Sequence, residues 1–160
     1  MGMVMSFHRV TPDELARVVE DPGCVDDILE AAGERAQADG SPDGDLDKSW
    51  AGLDFLLAAA DVPVDIEDGV MDYLDDDGTV SVWDATKVAE AARVLRSTPF
   101  GELARHHDPA RMTELDIYPG IIWVRDGDEA LDWLRECYEA LVAFLDDAAS
   151  RGCAVVKTFG

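Results

Sequence analysis

"LDWLRECYEALVAFLDDAASRGCAVVKTF", residues 131 to 159, joins a long helical pattern directly to a strand pattern. From about 127 to 150, Leu131, Leu134, Tyr138, Leu141, Leu145 and Ala148 recur at helical spacing. Trp133, Cys137 and Phe144 widen that stripe, so the helix is expected to lie across the core. Gly152 stands where a helix end prefers glycine. "CAVVKTF", residues 153 to 159, then reads as a final strand, and a strand needs a partner for its backbone N–H and C=O groups. The other end of the chain offers one. Residues 2 to 10 alternate, with Met3, Met5 and Phe7 on one side. "TVSVW", residues 79 to 83, is a third short strand. The expected fold is α+β: one domain with a small mixed or antiparallel sheet that contains both terminal strands. Several helices pack it, the long C-terminal one included.

The intervening chain is punctuated by caps and breakers. In "TPDE", Thr11 can cap a helix, Pro12 suits its first position and Glu14 completes a capping box. Leu15, Val18 and Val19 give that helix an apolar side, and "DPG" at 21 to 23 ends it. A second helix is expected from about 24 to 37, with Val25, Ile28, Leu29 and Ala32 as its stripe. "ADGSPDGD", 38 to 45, reads as a polar loop. "LDKSWAGLDFLL", 46 to 57, starts a third helix, with Trp50, Leu53 and Leu57 on one face. Residues 64 to 74 suggest a short helix and "DDDG" at 75 to 78 a turn. Asp84 caps a helix carrying Val88, Ala91, Ala92 and Leu95, which "TPF" at 98 to 100 stops. Two short helical pieces fill 99 to 115, and 116 to 123 is irregular or extended. Trp50, Leu53, Leu57, Leu134, Tyr138 and Leu141 are the expected core.

Charge narrows the functional classes. The chain has 35 acidic and 13 basic side chains, a net charge of -22. Nucleic-acid binding needs clustered Lys and Arg, so phosphate backbones should be repelled, and anionic membrane surfaces likewise. No apolar run approaches the roughly 18 residues of a spanning helix, and "MGMVMSFHRV" lacks the plan of a signal peptide. Cys24, Cys137 and Cys153 are odd in number and far apart, which fits reduced thiols in the cytoplasm.

Together, "MGM", "DKSWAGLDFLL", "MTELDIYPGI" and "ALVAFLDDAASRGCAVVKTFG" resemble the YfbM-like family of bacterial proteins, a domain of unknown function (DUF1877). The resemblance runs in order along nearly the whole chain, except over 61 to 83. It implies a single α+β domain over 1–160 in small cytoplasmic proteins. It implies no reaction and no catalytic residues.

Lys48 is one of only three lysines, and the helix reading puts it in a first turn. If Asp47 is the cap, Lys48 is the first helical residue; if Asp45 is the cap, it is the third. A cation there opposes the helix dipole at about 0.3–1 kcal/mol, whereas Asp13, Glu14, Asp26, Asp27, Asp128 and Glu129 all obey the rule. One reading pairs Lys48 with a nearby carboxylate while Trp50 anchors the core. The other makes Lys48 and Trp50 the lining of a pocket for an anionic or aromatic ligand. Tyr118-Pro119-Gly120 offers a turn, with a cis peptide as one option. Asp47, Lys48, Trp50 and Tyr118 are therefore the candidate ligand or partner contacts.

Other chemistry is weaker. "YLDDDGTVSVWD", 73 to 84, imitates a calcium loop, but Tyr73 stands at the first ligand position and Asp84 replaces the usual bidentate Glu. His106 and His107 are adjacent, so on a helix they point apart, and no second His or Cys cluster supports them. No phosphate loop, dinucleotide fingerprint, serine elbow or His-Glu-x-x-His motif occurs. No cofactor or metal is expected. The reading these features favour is a non-enzymatic acidic interaction protein that binds a basic partner, in the manner of a stoichiometric inhibitor. The alternative is a small-ligand binder or enzyme with a pocket near Lys48, Trp50 and Tyr118.

Overall fold

The two terminal strands pair with each other. In the computed structural model, which describes residues 2–68 and 74–160, β1 (Met5–Val10) runs antiparallel to β4 (Ala154–Phe159). Met5 faces Phe159 and Val10 faces Ala154 across the ladder. β2 (Asp45–Asp47) flanks β1, β3 (Val80–Trp83) flanks β4, and the order is β2-β1-β4-β3, antiparallel throughout. The helices are α1 (Pro12–Glu20), α2 (Val25–Asp39), α3 (Trp50–Ala59), α4 (Ala85–Arg96), α5 (Phe100–Ala104), α6 (Pro109–Glu114), α7 (Ile122–Asp126) and α8 (Asp128–Ser150). A single 3-10 turn, Pro22–Cys24, separates α1 from α2.

Both faces of the sheet are covered, because alternate residues of each strand point to opposite sides. Met5, Phe7, Trp83 and Val155 pack with the buried faces of α3, α4 and α8 into the main core. Val10, Val80, Ala154 and Val156 pack under α1 and α2, with Val18, Ile28 and Ala32. Phe7 meets Trp83 and Phe144 edge-on, with centroids 5.3 and 6.2 Å apart, so α8 lies against the sheet. All six expected core residues are buried.

Local signals are honoured where they are strong. Thr11 and Glu14 form both halves of the capping box, and Asp84 accepts from the Lys87 N–H at the start of α4. The sequence reading needs several corrections. Residues 2–4 precede β1, and Met3 is exposed. Val19 turns outward while Val18 is buried. The loop of 38–45 ends in a strand: Leu46 goes inward between outward Asp45 and Asp47, a period-two pattern too short to read alone. The third helix then starts at Trp50, and the last residues of 116–123 begin α7. Of the helix expected over 64–74, residues 66–68 form turns and residues 69–73 lie outside the described residues.

Candidate functional site

Lys48 stands at the turn from β2 into α3. Asp47 closes β2 with φ of 50°, in the left-handed region, and its N–H donates to the Asp45 carboxylate at 2.8 Å. Asp47 is therefore a strand end and turn residue, and neither it nor Asp45 caps α3. Ser49 holds that position, buried, with its N–H and its hydroxyl both donating to the Leu46 carbonyl, at 3.0 and 2.6 Å. Lys48 thus precedes the helix, where the dipole conflict is weaker than its expected first-turn place would give. Its stem lies over Gly2: a Cβ built there would come 2.0 Å from Lys48 Cε and 2.8 Å from Nζ. The expected carboxylate partner is not there. Among the described residues Lys48 forms no ion pair.

Trp50 and Tyr118 do come together. Their rings stack with centroids 5.6 Å apart and planes at 20°, and Phe159 meets Trp50 edge-on at 4.9 Å. Their polar atoms are used by the chain itself. Trp50 Nε1 donates to the Met3 carbonyl at 3.0 Å, and the Met3 N–H donates to the Tyr118 hydroxyl at 2.7 Å. The pair therefore clamps the N-terminal segment. The Tyr118–Pro119 peptide is cis.

Lys48 lines a separate cleft, of about 340 Å³, that starts at Pro119 and includes Ile122, Asp126, Glu129, Ala130 and Trp133. Its walls are apolar and its polar groups are one ammonium and two carboxylates. Asp126 is held by Arg125 at 2.8 and 3.0 Å, and that guanidinium keeps its carboxyl below the usual range. Outside the cleft, Ile121 and Val124 are 70% and 61% exposed, a large apolar surface for so acidic a chain. Of the four candidate residues the cleft thus takes Lys48, while Trp50 and Tyr118 form the neighbouring clamp and Asp47 the turn. Sequence reading assigned Trp133 to the core stripe and Glu129 to the helix first turn, and gave neither a place in a site.

A second cluster lies where the chain leaves α3. Lys157, in the middle of β4, is 1% exposed. Its ammonium donates to the Ile66 carbonyl at 3.0 Å and to the Asp68 carbonyl, and sits over the Trp83 ring at 4.7 Å. Burial lowers its pKa to about 8. Asp54 accepts from the Ile66 N–H at 3.1 Å, and burial, then Glu67 and the charge of Asp65, push its pKa up to about 8. Oxygens of Asp54, Asp65 and Glu67 lie within 4.8 Å of one another. Lys87 pairs with Asp68, and Trp83 Nε1 donates to the Asp68 carbonyl at 2.8 Å. Together these contacts pin the segment 65–68 to the sheet and to α3. A lone lysine inside "AVVKTF" was the sequence signal that could have revealed this.

A larger cleft than that of Lys48, about 510 Å³, lies between β1, α2 and α8 and includes Arg9, His8, Ser41 and Asp147. The Arg9 guanidinium is engaged by Asp39 at 2.6 Å, Asp147 at 3.0 Å and Ser41 at 2.8 Å. His107 lies after α5, outside the group of metal-ligating side chains found among the described residues, and burial lowers its pKa against the charges of Asp128 and Asp108. In the calcium-like stretch, Asp75 accepts from the N–H groups of Thr79 and Val80, each at 2.9 Å, and from the Thr79 hydroxyl. That is a strand-entry turn; Tyr73 lies outside the described residues. No described helix is long and apolar enough to cross a membrane.

A search of curated proteins finds no match. Among solved structures the chain resembles a protein of unknown function, YfbM from Escherichia coli. They share 19% identity with a TM-score of 0.71, over 98% of this chain and 99% of that one. At that identity the likeness establishes a shared fold. The family described as "Domain of unknown function (DUF1877)" matches residues 1–158, and the chain belongs to that family.

Proposed function

We propose that this chain is a non-enzymatic interaction protein whose acidic surface binds a basic partner in a stoichiometric complex, as an inhibitor would. One observation carries the reading. Among the described residues, nine of the 13 basic side chains, Arg9, Arg35, Arg96 and Arg151 included, pair with carboxylates of the same chain. The chain's own cations are largely consumed, so the surplus carboxylates present a negative field to partners. Such a field speeds encounter with a basic protein and selects against acidic ones. Burial raises the thiol pKa of Cys137 and Cys153, away from nucleophilic thiolate, which supports a binding role. The three unpaired cysteines support a reducing, cytoplasmic setting.

Capture from native lysate onto the immobilised protein, at low and at high salt, tests this. The expected result is a basic protein retained at low salt and released at high salt, which then forms a saturable complex of fixed stoichiometry when purified. Retention indifferent to salt, or a captured protein that never saturates, removes the proposal.

A second reading, a small-ligand-binding protein, is favoured by the Lys48 cleft, where an unpaired ammonium and an indole share one concavity.

A further inference from the structure

We propose that the Lys48 cleft binds a free amino acid with an apolar or aromatic side chain, as its zwitterion; this rests on the small-ligand reading above. The cleft brings one cation, Lys48, and two carboxylates, Asp126 and Glu129, to the walls of a single space of about 340 Å³. In a chain where most basic side chains find an acidic partner, the Lys48 ammonium forms no ion pair among the described residues, though two carboxylates line the same cleft. Neither does Glu129, among the described residues; Asp126 is committed to Arg125. Opposite charges that line one concavity without joining leave both available to a ligand carrying each sign.

Three further features set the chemistry. The Lys48 stem lies over Gly2, which has no side chain to displace it from the cleft. Between the charged groups the walls are Pro119, Ile122, Ala130 and Trp133, an apolar lining with one aromatic face. The chain carries a net charge of -22. A simple anion would be repelled by that field and by two carboxylates at the site. A simple cation would be opposed by Lys48, against the attraction of the indole face. A zwitterion is neutral overall, so it crosses the field without penalty and then satisfies both signs at close range. Its carboxylate meets Lys48, its ammonium meets Glu129 beside Asp126, and its side chain lies against Trp133, Ile122 and Pro119. The volume suits a molecule of this size.

The test is titration of the whole purified chain with L-phenylalanine and L-leucine, followed by calorimetry and tryptophan fluorescence. Both should bind saturably at one site. N-acetyl-L-phenylalanine lacks the ammonium and L-phenylalaninamide lacks the carboxylate, and each should bind at least about tenfold more weakly. Lys48→Met and Glu129→Gln should each weaken L-phenylalanine by about the same factor. Trp133→Phe should keep binding and remove most of the fluorescence change. Thermal melting shows that each variant is folded. Equal binding of the acetylated and amidated forms, or unchanged binding to the two charge variants, overturns the proposal. Lys48-dependent binding of some other compound class from a metabolite library, with amino acids inert, overturns the amino-acid assignment and leaves the small-ligand reading standing. No binding by any compound overturns both.

Discussion

Trp50 and Tyr118 stack at 5.6 Å with near-parallel planes, and between them they hold both backbone polar groups of Met3. The indole is only 8% exposed, so the clamp belongs to the core as well as to the N-terminal segment. Trp50→Ala should destabilise the chain by about 3–5 kcal/mol in denaturant melts. Tyr118→Phe keeps the ring and loses the acceptor, for about 0.5–1.5 kcal/mol, with faster hydrogen exchange at the Met3 amide. A loss below about 1 kcal/mol for Trp50→Ala would show that the indole is not anchored in the core.

Arg9 is the most committed cation of the chain. Its side chain is 3% exposed and bridges Asp39, at the end of α2, to Asp147 of α8. Arg9→Met removes the buried one of the two cations that hold these carboxylates, leaving Asp39 and Asp147 to the more exposed Arg151 at 3.6 and 3.1 Å. The expected loss is about 1.5–3 kcal/mol, read by urea midpoint at constant m-value. Adding Asp147→Asn to that variant should recover part of it, since one of the two neighbouring carboxylate charges goes. Failure of the second change to recover anything would mean that the charges are not coupled.

Gly52 lies inside α3, where glycine ordinarily costs helix stability. Gly52→Ala should therefore stabilise by up to about 1 kcal/mol if space were open. It is not: the added Cβ would stand 2.6 Å from the Trp123 ring and 3.0 Å from Leu134 Cδ2. The expected outcome is a net destabilisation of about 1–3 kcal/mol, visible as a lower Tm. A raised Tm would show that Trp123 yields at no cost.

Asp54 and Lys157 give a pH signature in opposite senses. The Asp54 carboxyl holds its proton to about 8 when folded, well above its unfolded value, so the folded state binds more protons between those limits. Its stabilising contribution is full at acid pH and fades as pH rises toward 8. Lys157 is lowered to about 8, so the unfolded state binds more protons above that point, and stability recovers with further rise. Asp54→Asn should flatten the decline below pH 8 and leave the alkaline limb. Thermal melts across pH 5 to 10 check this, by about 1–2 kcal/mol at the minimum after solvent screening. Parallel wild-type and variant curves would place the proton elsewhere.

What could be read without coordinates was what short-range rules decide. The α8 stripe and the Thr11–Glu14 box are local patterns that formed as read, and the alternation around Phe7 formed from Met5 onward, without Met3. The turn at Lys48 was misread because its cause is remote. Asp45-Leu46-Asp47 becomes a strand only by pairing with β1, and that pairing delays α3 to Trp50. The segment 65–68 was equally opaque, since Lys157, some ninety residues away in sequence, holds its carbonyls. The candidate site was half legible. Lys48 stood out as a cation in unusual company, but the cleft walls come from Pro119, from α7 and from the first turns of α8, whose Trp133 looked like ordinary core.

The pairing of β1 with β4 also sets an order of events during synthesis. Residues 5–10 are made well before residues 154–159, and among the described strands β2 is their one neighbour until then. Their six-residue partner β4 follows every described helix, so the ladder and the reciprocal bonds between Val4 and Gly160 close late. A nascent chain stalled within α8 therefore carries the apolar row of Met5 and Phe7 with no β4 to complete the sheet, and β3 has no strand beside it. Such a chain exposes unpaired strand edges and should aggregate or recruit a chaperone. The β1–β4 ladder forms only once residues 154–159 are available, so the sheet is completed late instead of growing from the first strand onward.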